Sequence, residues 1–131
     1  MSATILVADD DFDNRAILRQ ALEAAGWRVV EAVDGLEAVE AACKGGVDLI
    51  FLDMSMPKLS GWEAAKRIRQ DPAAQGIPIL AFTAHAMEGD ALKARAAGCD
   101  DYVTKPCAPR EVVAKVRGWL ARGGRSSTET R

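Results

Sequence analysis

The sequence predicts an α/β domain built around a doubly wound parallel sheet, and two observations carry this prediction. First, five short apolar runs alternate with segments of helical periodicity along the chain. Second, four of these runs are nearly continuous, as in Leu49–Leu52 and Ile79–Phe82. Continuous apolar runs are typical of strands buried on both faces, whereas a half-exposed strand alternates. Strands that alternate with helices need right-handed crossovers, which place helices on both faces of the sheet.

The strands are predicted in order from the apolar runs and from the turn-forming residues that bound them. The five predicted strands are Thr4–Ala8, Arg28–Ala32, Asp48–Leu52, Ile77–Phe82 and Asp101–Val103.

The helices between the strands are predicted from apolar residues spaced three and four apart. The residues that carry the pattern are Leu18, Leu22 and Ala25, then Leu36, Val39 and Cys43, then Ala64 and Ile68, and finally Val112, Val116 and Trp119. A fourth helix, around Met87–Ala97, rests mainly on the helix propensity of alanine. Gly26 and Gly98 stand where left-handed C-caps are expected. We expect one domain over 1–122 and a disordered polar tail over 123–131.

The composition indicates which binding partners are disfavoured and which cellular compartment is favoured. The chain has 131 residues, 49% of them hydrophobic, with a net charge of −2. This charge gives no field that attracts polyanions, so we expect neither nucleic acid nor an anionic membrane as a main partner. Cys43, Cys99 and Cys107 form no CxxC pair and are interpreted as buried or reduced thiols. With no charge-free stretch long enough to cross a bilayer, the sequence favours a cytoplasmic protein.

Polar residues gather where the predicted strands end. Asp9 and Asp10 follow the first strand, Asp53 the third, Thr83 the fourth and Lys105 the fifth. In an open α/β sheet, ligands bind beyond the carboxyl ends of the strands. Three carboxylates at one edge repel each other unless a bound proton or cation neutralises part of their charge. Mg²⁺ binds both carboxylate and phosphate oxygens. A carboxylate nucleophile, a cation and an amine are what the formation of an aspartyl phosphate requires.

Four motifs carry a resemblance to a known family. The stretches ILVADDD at 5–11, LDMSMP at 52–57, FTA at 82–84 and YVTKP at 102–106 resemble the receiver signature of two-component response regulators, in the single-domain form of chemotaxis regulators. The match runs from about Thr4 to Leu120. It implies a flavodoxin-like (βα)5 three-layer sandwich with strand order 2-1-3-4-5.

The resemblance assigns roles at the carboxylate end of the site. It implies that Asp53 is the phosphoacceptor and that Asp10 binds Mg²⁺ or Mn²⁺ directly. Asp9 would bind the cation through water, and Ser55 would offer its backbone carbonyl.

The resemblance also assigns roles on the phosphoryl side of the site. Thr83 and Lys105 would hold the phosphoryl oxygens, and Tyr102 would follow Thr83 as a switch residue. The peptide between Lys105 and Pro106 would be cis, as it usually is in the family.

The implied function is a switch rather than an enzyme with a separate substrate. A histidine kinase or a histidine phosphotransfer protein would supply the phosphoryl group. The readout would be a downstream protein, or a second copy bound through the face of the fourth helix, fifth strand and fifth helix. The alternative within the family is a receiver from a hybrid histidine kinase or a longer regulator, acting as a phosphorelay intermediate or a phosphate sink.

Two other protein classes fit the sequence less well, and several residues have simpler structural interpretations. A phosphatase of the haloacid dehalogenase type needs an aspartate where this chain has Ser55, and a pseudo-receiver would lack part of the acid set. Asp11 is best interpreted as a helix N-cap and Asp34 as a turn into a helix. His85 is interpreted as an exposed loop residue. The three tryptophans, Trp27, Trp62 and Trp119, are interpreted as packing residues or as anchors at helix ends.

Overall fold

The computed structural model of the chain describes residues 3–83, 93, 95–104 and 108–122. Within these residues a parallel sheet has the order β2-β1-β3-β4-β5. Its strands are β1 (Thr4–Ala8), β2 (Arg28–Ala32), β3 (Leu49–Asp53), β4 (Ile79–Thr83) and β5 (Asp101–Thr104). The α/β class and the predicted strand order are confirmed.

The bounds of three strands differ from the prediction. β4 and β5 each end one residue later than predicted, at Thr83 and Thr104. β3 begins and ends one residue later than Asp48–Leu52, so Asp53 is the last residue of the strand. β4 begins at Ile79 rather than Ile77. The reason is local, because the Ile77 amide donates to the carbonyl of Ala74 in a turn at 3.2 Å. Pro78, which follows, has no amide proton to give to the sheet.

The described helices are α1 (Phe12–Ala24), α2 (Gly35–Cys43), α3 (Gly61–Gln70) and the C-terminal helix (Pro109–Ala121). As predicted, Asp11 caps α1, where it accepts the amides of Asp13 and Asn14, and Asp34 lies at the turn into α2. Asp34 is also the N-cap of α2, because its side chain accepts the amide of Glu37. Of the predicted fourth helix, Lys93, Arg95, Ala96 and Ala97 are described. The first three are helical and Ala97 lies in a turn.

Two hydrophobic clusters cover the two faces of the sheet. Because side chains alternate along a strand, Ile5 and Val7 pack with α1 and the C-terminal helix, while Leu6 and Ala8 pack with α2 and α3. Phe51 and Phe82 contact each other in the cluster on the side of α1 and the C-terminal helix, with ring centroids 4.9 Å apart. The predicted packing role of the tryptophans is confirmed: Trp62 lies against the α2–α3 cluster, and Trp27 and Trp119 lie against the other.

The described cysteines are free thiols, and their surroundings keep them protonated. Burial, together with a hydrogen bond to Asp71, raises the pKa of Cys43 to about 11. Burial raises the pKa of Cys99 to about 12. No helix in the described part of the chain has the length and apolar character needed to cross a membrane.

Candidate metal and phosphoryl site

Three carboxylates meet at the carboxyl end of the sheet. Asp9 directly follows β1, and Asp53 ends β3, the strand paired with β1. Each of Asp9, Asp10 and Asp53 offers an oxygen, and these oxygens all lie within 4.8 Å of one another. Asp9 and Asp53 are 1% and 2% exposed, whereas Asp10 faces solvent. The structure therefore brings the three predicted carboxylates into one half-buried cluster.

Three hydrogen bonds hold Asp9, two through its backbone and one through its side chain. Its amide donates to the carbonyl of Ala32 in β2 at 3.0 Å. Its Oδ1 accepts the amide of Asp11 at 2.9 Å, and its carbonyl accepts a hydrogen bond from Arg15 at 2.8 Å. Asp11 in turn accepts the amides of Asp13 and Asn14 as the cap of α1. The turn from β1 into α1 is thus held by hydrogen bonds that leave Asp9 little freedom.

The loop after Asp53 is equally constrained. The amide of Ser55 donates to Oδ1 of Asp53 at 3.0 Å, which orients the carboxylate. The amide of Met54 donates to the carbonyl of Phe82, and the amide of Gly61 donates to the carbonyl of Met54, each at 3.1 Å. Gly61 packs so closely that a Cβ there would overlap the carbonyl oxygen of Asp53. A side chain at this position would push α3 away from β3.

The hydroxyl and aromatic residues of the prediction lie on the neighbouring strands. Thr83 is 2% exposed and ends β4. Because Asp53 pairs with Phe82, the next residue Thr83 stands at the same edge of the sheet. Tyr102 in β5 pairs with Ala81 and is half-buried against the α2–α3 cluster. Lys105 and Pro106, with the cis peptide predicted between them, lie outside the described residues, and so does His85.

The donor set suits a hard divalent cation. Carboxylate oxygens are preferred ligands of Mg²⁺, which keeps several waters and binds phosphate oxygens readily. Two of the carboxylates are buried, where like charges repel strongly, and a bound cation removes this repulsion. Asp10 is exposed and lies on the solvent side of the cluster.

Arg15 is a residue of this region that the sequence prediction missed. It is buried on α1 and contacts both the Asp9 carbonyl and Glu31. A signal was present, because Arg15 lies three residues before Leu18 and seven before Leu22, on the apolar stripe of α1. A charged residue in an apolar stripe needs a buried partner.

Comparison with known proteins agrees with this geometry. The family model for the response regulator receiver domain matches residues 5–117. The phosphate regulon transcriptional regulatory protein PhoB of Pseudomonas aeruginosa is 38% identical over 96% of this chain. The chain spans 55% of the length of PhoB. The polar-differentiation response regulator DivK of Brucella ovis is 32% identical over 92% of this chain and 98% of its own length.

Two solved structures show the same fold with ligands or partners of interest. The receiver domain of the sensor histidine kinase PA1611 from Pseudomonas aeruginosa, with magnesium in its active-site cleft, is 31% identical with a TM-score of 0.86, covering 92% of this chain and 99% of that one. The receiver domain of Ssk1 from Saccharomyces cerevisiae, crystallised with the histidine phosphotransfer protein Ypd1, is 35% identical with a TM-score of 0.83. The match covers 90% of this chain and 88% of that one.

Proposed function

The chain belongs to the response regulator receiver family, and from this premise we propose that Asp53 accepts a phosphoryl group from a phosphohistidine in a step that needs Mg²⁺ or Mn²⁺. The observation that carries the proposal is the cluster of Asp9, Asp10 and Asp53, whose oxygens share one small volume. A carboxylate held in such a cluster at a strand end is placed to act as a nucleophile toward phosphorus.

The proposed step moves one phosphoryl group. A carboxylate oxygen of Asp53 forms a bond to phosphorus as the bond between phosphorus and the donor's imidazole nitrogen breaks. The imidazole nitrogen keeps the electron pair of the broken bond and takes a proton from solvent, so the ring leaves as neutral imidazole. The Ser55 amide, which donates to Oδ1 of Asp53, keeps the carboxylate plane fixed during the attack.

The remaining residues would stabilise charge. Asp10 would bind the cation directly, Asp9 through water, and Ser55 through its backbone carbonyl. A bound divalent cation neutralises negative charge on the phosphoryl oxygens. Thr83 would donate its hydroxyl to one of those oxygens, and Lys105 would pair with another. On this proposal the protein assists its own phosphorylation and dephosphorylation and acts on no separate substrate.

The proposed phosphoryl donor is a histidine kinase or a histidine phosphotransfer protein. The Ssk1 receiver, which is similar over most of this chain, has been crystallised with such a phosphotransfer protein. The net charge of −2 argues against nucleic acid or an anionic membrane as the partner. We place the protein in the cytoplasm, where kinases of this type present their phosphohistidine.

The proposed output is a change of binding surface. Drawing Thr83 toward a phosphoryl group would vacate space that Tyr102, on the adjoining strand, can fill. The face of the predicted fourth helix, β5 and the C-terminal helix would then bind a downstream protein or a second copy. Since the chain spans 55% of PhoB and resembles the receiver of a sensor kinase, a role within a longer regulator or phosphorelay is the second candidate.

Phosphorylation by a small acyl phosphate tests the proposal. The full chain is incubated with acetyl phosphate and Mg²⁺, and its intact mass is followed. We expect one phosphoryl adduct, absent in chelator and absent in Asp53→Asn. Asp13→Asn, which removes an exposed carboxylate from the first turn of α1, is the matched control and should be phosphorylated normally. An adduct on Asp53→Asn, or one formed equally well in chelator, would contradict the proposal.

A further inference from the structure

We infer that Arg15 is a positioning residue for the divalent cation, because it fixes the backbone that aims the Asp9 carboxylate into the site. The inference rests on the proposed function only in assuming that a cation binds at Asp9, Asp10 and Asp53. It adds a role for a residue that contacts neither the cation nor the phosphoryl group.

Arg15 makes hydrogen bonds to Asp9, directly after β1, and to Glu31 in β2. One terminal nitrogen donates to the backbone carbonyl of Asp9 at 2.8 Å, and Nε donates to Oε1 of Glu31 at 2.8 Å. The side chain is 10% exposed. Arg19 reaches the other oxygen of Glu31 and also pairs with Glu23, but it makes no described contact with the site.

These contacts close a ring around Asp9. The Asp9 amide binds the carbonyl of Ala32, its carbonyl binds Arg15, and Arg15 binds Glu31, the neighbour of Ala32 in β2. Both ends of the Asp9 residue are therefore tied to the same edge strand. Because the amide and the carbonyl of Asp9 are both held by hydrogen bonds, the backbone sets the direction of the Asp9 side chain. Residues that support metal ligands in this way keep them oriented toward the cation.

The direction in which Mg²⁺ affinity changes when Arg15 is removed shows whether Arg15 acts by positioning Asp9 or by its charge. A guanidinium near the site repels a cation, so if Arg15 acted through its charge its removal would raise Mg²⁺ affinity. Glu31 already balances that charge, and the hydrogen bond from Arg15 is the main reason that the pKa of Glu31 is lowered. Loss of position therefore outweighs loss of repulsion, and removal of Arg15 should lower the affinity.

Calorimetric titration of the full chain with Mg²⁺ tests this inference. Arg15→Met is compared with wild type and with Arg19→Met, which removes a partner of Glu31 without touching Asp9. We expect Arg15→Met to bind Mg²⁺ about tenfold more weakly, the lower end of what supporting residues contribute. Arg19→Met should stay within about twofold, as expected for an exposed ion pair. Arg15→Lys, whose ammonium can still reach one acceptor, should recover part of the affinity.

The outcomes separate this inference from the proposed function. Wild-type affinity or a gain in Arg15→Met would overturn the role of Arg15 alone, and so would an equal loss in Arg19→Met. No Mg²⁺ binding by the wild-type chain would overturn the proposed function together with it. Circular dichroism shows which variants are folded. Should Arg15→Met not fold, Arg15→Gln, whose shorter side chain cannot span both acceptors, decides by the same criterion.

Discussion

Three consecutive aspartates have three different surroundings. Asp9 is buried at the end of β1, Asp10 is exposed, and Asp11 accepts two amides as the cap of α1. The cap role was predictable, because an aspartate before a helical segment satisfies amides that have no other partner. The Arg15 contact with the Asp9 carbonyl was not, since the acceptor is a backbone group and no residue type signals it.

The ranking of the cation ligands is a residue-scale prediction. Asp10→Ala should weaken Mg²⁺ binding more than Asp9→Ala, because a direct ligand contributes charge and a bond, whereas a water-mediated one mainly orients the site. Calorimetric titration of both variants measures the difference. Asp11→Asn, which removes a neighbouring charge but keeps a good N-cap, controls for long-range electrostatics. The reverse ranking would assign the direct contact to Asp9.

At the scale of elements, all five strands and the bounds of β1 and β2 were predicted, but the bounds of β3, β4 and β5 were not. β1, β3 and β4 are buried on both faces and have continuous apolar sequences. β2 lies at the edge of the sheet, and its burial alternates. The start of β4 depends on the turn before Pro78 and on its pairing with β3, which are properties of the folded sheet. Pro78 is a local signal against a strand that begins at Ile77, whereas the pairing with β3 cannot be seen in the local sequence.

Arg69 connects α3 to the starts of β4 and β5, and the local sequence does not predict these contacts either. Its guanidinium donates to the carbonyls of Gly98 at 2.8 Å and Ile77 at 2.7 Å, and it pairs with Asp100 at 2.6 Å. Asp100 also accepts the amide of Ile79, the first residue of β4. One side chain from the last turn of α3 thus holds the starts of β4 and β5 together.

Removal of this contact should destabilise the fold. We expect Arg69→Met to lower the free energy of unfolding by about 3 kcal/mol, because it removes the ion-pair partner of the part-buried Asp100 and the donor to several carbonyls. Arg67→Met, an exposed arginine on the same helix, should cost less than about 0.5 kcal/mol. Urea denaturation followed by circular dichroism gives both values. Similar losses in the two variants would show that the Arg69 contacts contribute little.

At the scale of the whole molecule, the site is a product of strand order. The order β2-β1-β3-β4-β5 makes β1, β3 and β4 neighbours, and so brings Asp9, Asp53 and Thr83 to one edge. Periodicity predicted the strands and the polar residues at their ends, but it does not determine which strands are adjacent. The order was implied by the resemblance of four motifs to a family and is confirmed by the structure.

The central claim is that Asp53 carries the phosphoryl group, and chemical mapping tests it most directly. The chain is incubated with acetyl phosphate and Mg²⁺ and then treated with borohydride, which reduces an acyl phosphate to an alcohol, releases phosphate and converts the aspartate to homoserine. Peptide mass spectrometry then locates the converted residue. The account predicts homoserine at position 53 alone, and none when chelator replaces Mg²⁺. Homoserine at Asp9 or Asp10, or an adduct that resists borohydride and maps to another side chain such as His85, would contradict it.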